Sequence, residues 1–171
     1  MPPKIPAISI VAPASDCGKT RLITGIVSAL AEQGIRACII KHSSHDAPTD
    51  LDKDTWRFRE AGAAASALLD NRGLATYYIP KSSLEDAIEA MSSQGAEIII
   101  CEGFRSSPLP KIVLIGGAED LPLLCSLPNV AAAVAKHPIR PVVKVPVLDY
   151  DVRSVTAFIR DFCLRTREAP G

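Results

Sequence analysis

The stretch Ala7-Ile8-Ser9-Ile10-Val11-Ala12-Pro13-Ala14-Ser15-Asp16-Cys17-Gly18-Lys19-Thr20 decides how the rest of the chain is read. Ala7–Val11, mostly apolar and bounded by Pro6 and Pro13, predicts a short, fully buried strand. From Lys19 the period changes: Ile23, Ile26, Val27 and Leu30 recur at i, i+3, i+4, i+7, one face of a helix. Gln33-Gly34 stops that helix, because glycine supplies the left-handed position after a C-terminus. Arg36–Ile40 reads as a second strand. Strand–loop–helix–strand units make parallel sheets with right-handed crossovers. The expected fold is therefore α/β, a P-loop NTPase-like, mostly parallel sheet flanked by helices.

The loop between that strand and helix carries the strongest chemistry. Backbone N–H groups of Ser15, Asp16, Cys17, Gly18, Lys19, Thr20 and Arg21, in the loop and first helical turn, would point at an anion, and the helix dipole adds positive potential. Lys19 would bridge the outer phosphates of a nucleotide, and the Thr20 hydroxyl would bind Mg²⁺. Two residues depart from the usual motif. Pro13 replaces the first glycine and has no N–H, and Asp16 places an acidic side chain where it repels phosphate unless it turns outward.

Outward from this unit, the loop from Asp46 to Asp54 is acidic and polar, and a helix is expected from about Thr55 to Ala61. Ser66–Leu69 and Leu74–Ile79 flank a turn at Asp70-Asn71-Arg72-Gly73 and predict a small β-hairpin insertion. Ser82-Ser83-Leu84-Glu85 reads as a capping box, with Ile88 and Met91 on the buried face of the helix that follows. Ala96–Cys101, Lys111–Ile115 and Val130–Val134 are further strands, and a last amphipathic helix spans about Val152 to Leu164. We expect one nucleotide-binding domain over residues 1–165 and a frayed, flexible tail over 166–171.

Composition excludes several function classes. The 171 residues carry 19 Lys+Arg against 19 Asp+Glu, which disfavours nucleic-acid binding by bulk electrostatics and a polybasic membrane anchor. No run approaches the roughly 18 apolar residues of a membrane span. The N-terminal apolar stretch resembles a signal peptide only superficially, since it runs straight into Gly18-Lys19-Thr20; a cytoplasmic protein is expected. The five cysteines, Cys17, Cys38, Cys101, Cys125 and Cys163, form no CxxC pair and read as reduced thiols.

Two further segments fall at the ends of strands, where ligands of open α/β sheets bind. Ile98-Ile99-Ile100-Cys101-Glu102-Gly103 is an apolar strand ending in a carboxylate, which places Glu102 beside Mg²⁺ or the attacking water. Lys41-His42-Ser43-Ser44-His45 follows the second strand; its two histidines suggest zinc, but no Cys or further His completes the shell. Asp50, Asp52 and Asp54 alternate like the start of a calcium loop, yet Thr55 and Ala61 replace the Gly and Glu such a loop needs. The functional reading of this run is a switch-like segment that brings Asp54 near the metal. Lys136-His137, after a late strand, is a candidate for reading a base.

Taken in order, these residues resemble the molybdopterin-guanine dinucleotide biosynthesis adapter proteins. The resemblance rests on Gly18-Lys19-Thr20, Lys41-His42-Ser43-Ser44-His45, Lys53-Asp54-Thr55, Arg57 through Glu60-Ala61-Gly62-Ala63, Glu102-Gly103-Phe104-Arg105 and Pro110-Lys111-Ile112-Val113. It covers about residues 7–115. It implies a GTP-binding protein, at most a slow GTPase, with Mg²⁺ held by Thr20, Asp54 and Glu102, and with Glu102 acting in hydrolysis. Lys41, His42, His45, Arg57, Gly103, Phe104, Arg105 and Lys111 are the further site residues it implies. It also implies a homodimer and a partner, the guanylyltransferase that joins GMP to molybdopterin. The chain has no Asn-Lys-x-Asp motif for guanine, so base choice rests on the resemblance alone.

Two other readings compete. Ala12–Thr20 is similar to the longer phosphate loop of dethiobiotin synthetases, which also carry an acidic residue at the place of Asp16; that implies an ATP-dependent biosynthetic enzyme. Alternatively, Pro13 and Asp16 disable the loop and leave an interaction domain without nucleotide.

Overall fold

Six parallel strands in the order β2-β5-β1-β6-β7-β8 carry the molecule: β1 (Ala7–Val11), β2 (Ala37–Lys41), β5 (Ile98–Glu102), β6 (Lys111–Ile115), β7 (Val130–Ala135) and β8 (Val147–Asp149). β3 (Ser66–Leu69) and β4 (Ala75–Tyr78) form a separate antiparallel hairpin. This computed structural model describes residues 5–14, 17–43, 57–58, 61–69, 71–73, 75–78, 83–138 and 145–168. Two compact units emerge, one of Met1–His42 with Ile88–Gly171 and one of Ser43–Ala87.

Strand parity sorts the core of the first unit. Ile8, Ile10, Ile98, Ile100, Ile112, Leu114, Ala132 and Val134 join one buried cluster, with Leu22, Ile23, Ile26 and Leu30 of helix α1 (Lys19–Glu32) and Val155, Ile159 and Cys163 of helix α4 (Val152–Glu168). Val11, Val113, Ile115, Ala133 and Ala135 point to the opposite face, where Leu124 of helix α3 (Leu121–Ser126) packs. A sheet buried on both faces needs continuous apolar strands, which is why these runs show no polar alternation. Helix α2 (Leu84–Ser93) precedes β5.

Both long helices after α1 have caps. In α2, Ser83 N–H and Oγ–H both donate to Asp86 Oδ2 at 2.8 Å, and Asp86 N–H donates to Ser83 Oγ at 3.1 Å. This is a capping box one residue later than the Ser82–Glu85 pair read from the sequence, and Ser82 lies outside the described residues. Asp151 accepts from Ser154 N–H and Oγ–H, both at 2.9 Å, at the start of α4.

Other differences are of extent. β2 runs Ala37–Lys41 rather than Arg36–Ile40, which brings Lys41 into the sheet, and α4 continues through Glu168. α3 and β8 went unpredicted: both are too short for a period to show. The helix expected over Thr55–Ala61 falls mostly outside the described residues; Arg57 and Phe58 are helical.

Candidate functional site

Sheet register builds the candidate site at the carboxyl edge of β1, β2 and β5. Ile10 pairs with Glu102 and Lys41 with Glu102, so the carboxyl ends of three strands converge. Glu102 shares the parity of Ile98 and Ile100, and therefore points to the face covered by α1. There the Thr20 hydroxyl, in the first turn of α1, donates to the Glu102 carboxylate, 3.3 Å from Oε1 and 3.4 Å from Oε2. Lys41 Nζ lies 3.7 Å from Glu102 Oε1. Glu102 itself is 9% exposed, so its charge is answered by a hydroxyl and an ammonium rather than by bulk water.

The described part of the loop before α1 turns tightly at Gly18. Gly18 has φ +80°, left-handed, which a side chain rarely adopts, and a Cβ there would fall 2.6 Å from Tyr150 Oη. Tyr150 donates its hydroxyl to the Gly18 carbonyl at 2.9 Å. Lys19 Nζ donates to the Ala14 carbonyl at 2.8 Å, curled back over its own loop. Cys17 is half-buried against the core, whereas Thr20 and Arg21 are exposed.

Beyond Glu102 the chain turns sharply. Gly103 and Phe104 both have positive φ, +94° and +57°, the second an uncommon conformation for an aromatic residue. The turn is tied down at several points. Gly103 N–H donates to Ile10 C=O at 3.0 Å, His42 N–H donates to Glu102 C=O at 3.0 Å, and Ser9 Oγ–H donates to the Gly103 carbonyl. The Phe104 and His42 rings stand 5.0 Å apart, tilted by 56°. Arg105 reaches across to donate to the Ala12 carbonyl, at the mouth of the phosphate loop. Lys111 is fully buried, and its ammonium donates to the carbonyls of Ser107 and Leu109. Burial lowers its pKa from the usual lysine value. It braces the loop that follows Arg105 rather than facing the strand edge.

Of the residues singled out in the sequence, Cys17, Gly18, Lys19, Thr20, Arg21, Lys41, His42, Glu102, Gly103, Phe104 and Arg105 line this edge. Ser15, Asp16, His45 and Asp54 lie outside the described residues. Arg57 is an exposed residue of the second unit. Two contributors were missed. Ser9 is the single hydroxyl in an otherwise apolar strand, a signal that was present; Tyr150, 132 residues from the glycine it holds, left none.

The donors suit the ligands expected. A hydroxyl beside a carboxylate is a hard, oxygen-only pair of the kind Mg²⁺ uses together with phosphate oxygens. Among the described residues no group of three His, Cys, Asp or Glu is arranged to hold a metal. None of the five cysteines is in a disulfide, and burial pushes the Cys101 thiol up to about 12, which leaves it an apolar filler. Among the described residues no helix is long and apolar enough to cross a membrane.

Comparison with known proteins gives a consistent result. The family model described as molybdopterin guanine dinucleotide synthesis protein B matches residues 7–136. A molybdopterin-guanine dinucleotide biosynthesis adapter protein of Haemophilus influenzae is 35% identical over 103 residues, 58% of this chain and 58% of that protein. The adapter protein of the same description from Escherichia coli is 33% identical over 105 residues, 58% of this chain and 60% of its own length. The chain thus spans about three fifths of the length of these curated relatives. The solved structure of Bacillus subtilis MobB superposes with a TM-score of 0.71 at 24% identity, covering 96% of this chain and 99% of that one, a likeness of fold.

Proposed function

The chain belongs to the molybdopterin guanine dinucleotide synthesis protein B family, and we propose that it is a GTP-binding adapter in the biosynthesis of that cofactor. It assists the guanylyltransferase that attaches GMP to molybdopterin, acts as a homodimer in the cytoplasm and hydrolyses GTP slowly. The observation that carries the nucleotide half of this reading is the meeting of Thr20, Glu102 and Lys41 beside the Gly18-Lys19 loop. One hydroxyl, one carboxylate and two lysine ammonium groups within one strand edge are what a magnesium-bound triphosphate requires. Lys19 and the loop N–H groups, including those of Ser15 and Asp16, hold the phosphates. Thr20 and Glu102 would hold Mg²⁺, which would neutralise phosphate charge. Glu102 orients the attacking water. Lys41 neutralises Glu102 and, once the nucleotide is in place, faces its outer phosphate. His42, Phe104 and Arg105 form the surface beside this edge that a pterin phosphate or the partner enzyme would meet.

Calorimetric titration of the reduced protein with GTP and with ATP, each with Mg²⁺, tests this. Preference for GTP, followed by co-purification with the guanylyltransferase, is the expected result. Preference for ATP would favour a biosynthetic enzyme of the dethiobiotin-synthetase type. Binding of neither would leave an interaction domain whose loop Pro13 and Asp16 have disabled.

A further inference from the structure

We propose that Lys136 and Tyr150 form the nucleoside-side wall of the nucleotide site, with the Lys136 ammonium contacting the part of the ligand beyond its outer phosphates; this rests on the nucleotide-binding reading above. The two flanks of β1 differ in chemistry. On the β5–β2 flank lie Thr20, Glu102 and Lys41, a set matched to a cation and the outer phosphates. On the β6–β7–β8 flank, among the described residues, no carboxylate is hydrogen-bonded or ion-paired to the loop. There β7 ends at Ala135 and β8 at Asp149, and the next residue of each strand turns onto the loop.

Both backbones are held by the sheet edge: Lys136 N–H donates to Ile115 C=O at 3.3 Å, and Tyr150 N–H to Ala135 C=O at 3.0 Å. Their side chains stack, with Lys136 Nζ 5.5 Å from the centroid of the Tyr150 ring. Both reach Gly18. The Tyr150 hydroxyl donates to its carbonyl, and a Cβ built there would lie 3.8 Å from Lys136 Nζ. The ammonium is exposed, and among the described residues no carboxylate forms an ion pair with it. A cation kept at a loop that must bind anions, without a counter-charge among those residues, has a ligand as its natural partner. With the outer phosphates drawn to the Thr20–Glu102 flank, the remainder of the nucleotide extends toward this one. An ammonium has three donors and no acceptor, so it takes oxygens of the nucleoside: the ribose hydroxyls or a keto group of the base.

The test compares GTP with inorganic tripolyphosphate, both with Mg²⁺, in displacement of a fluorescent guanine nucleotide from the full chain. Lys136→Ala should weaken GTP by about tenfold, the loss of one charge-assisted contact, and leave tripolyphosphate within about twofold. Lys136→Arg should restore GTP binding. Lys19→Ala should weaken both ligands. Unchanged GTP affinity in Lys136→Ala, or equal loss of both ligands, overturns this inference while leaving nucleotide binding intact. A wild-type chain that binds neither ligand overturns nucleotide binding itself, and this inference with it. Should tripolyphosphate fail to compete on the wild-type chain, the GTP loss in Lys136→Ala decides alone. Lys136 is exposed at a strand end, and unchanged thermal unfolding of the variants verifies that the fold is kept.

Discussion

Thr20 and Glu102, 82 residues apart in the chain, meet through one hydroxyl and one carboxylate at the carboxyl edge of the sheet. The contact follows from two independent facts. Thr20 lies in the first turn of the helix that leaves β1, and Glu102 closes the strand that pairs with β1, on the face that helix covers. A helix leaving one strand and the last side chain of its neighbour are brought together by a parallel register alone.

Lys19→Ala should weaken nucleotide binding by about 30-fold or more, since a hydrogen bond to a charged group contributes about 2 kcal/mol or more. Calorimetry reads the loss directly. An affinity equal to that of the wild type would show that the loop does not hold phosphate.

Glu102→Gln keeps the shape and the Thr20 contact but removes the charge that Lys41 faces. If Glu102 acts on water as well as on the metal, single-turnover hydrolysis of GTP should fall by about 10²-fold, more than affinity falls. Equal loss of rate and affinity would make it a metal-holding group only.

Gly25 of α1 packs tightly on Val152 of α4: a Cβ there would lie 2.6 Å from one methyl of Val152 and 3.3 Å from the other. Alanine improves helix propensity by about 1 kcal/mol, but overpacking costs about 1–3 kcal/mol. Gly25→Ala should therefore lower stability in urea unfolding, and Val152→Ala in the same chain should relieve it. Additive effects of the two substitutions would show that the helices part without strain.

Acid should weaken the starts of α2 and α4. Hydrogen bonds from the Ser83 backbone and hydroxyl hold Asp86 below the usual carboxylate value of 3.8, and those from Ser154 do the same for Asp151. A carboxylate depressed in the folded state stabilises it above the unfolded pKa, and that contribution is lost as pH falls through the lowered value. Thermal unfolding followed from pH 6 down to pH 3 should show a falling midpoint, and Asp151→Asn with Asp86→Asn should flatten that slope. An unchanged slope would assign the acid loss to other groups.

Much of this was legible before any coordinates. The order of elements, the phosphate loop between β1 and α1, and the acidic end of β5 are local patterns: an apolar run, a change of period, a Gly-Lys-Thr at a helix start. Register was less legible. Both faces of the sheet are buried, so the strands carry no alternation, and whether Glu102 faced α1 or α3 could not be read from Ile98-Ile99-Ile100-Cys101. Capping slipped by one residue because Ser82 and Ser83 are equally able to cap, and only the position of Asp86 separates them.

A parallel α/β sheet with a Gly-Lys-Thr loop between its first strand and helix is specified by residues close together along the chain. Tertiary structure alone decided which distant side chains finish the site. Lys41 beside Glu102, Ser9 under Gly103, Arg105 on Ala12, and Lys136 with Tyr150 against Gly18 are set by strand pairing and helix crossing. Such contacts join residues 60 to more than 130 positions apart, as the 61 between Lys41 and Glu102 and the 132 between Gly18 and Tyr150 show, and no local period encodes them.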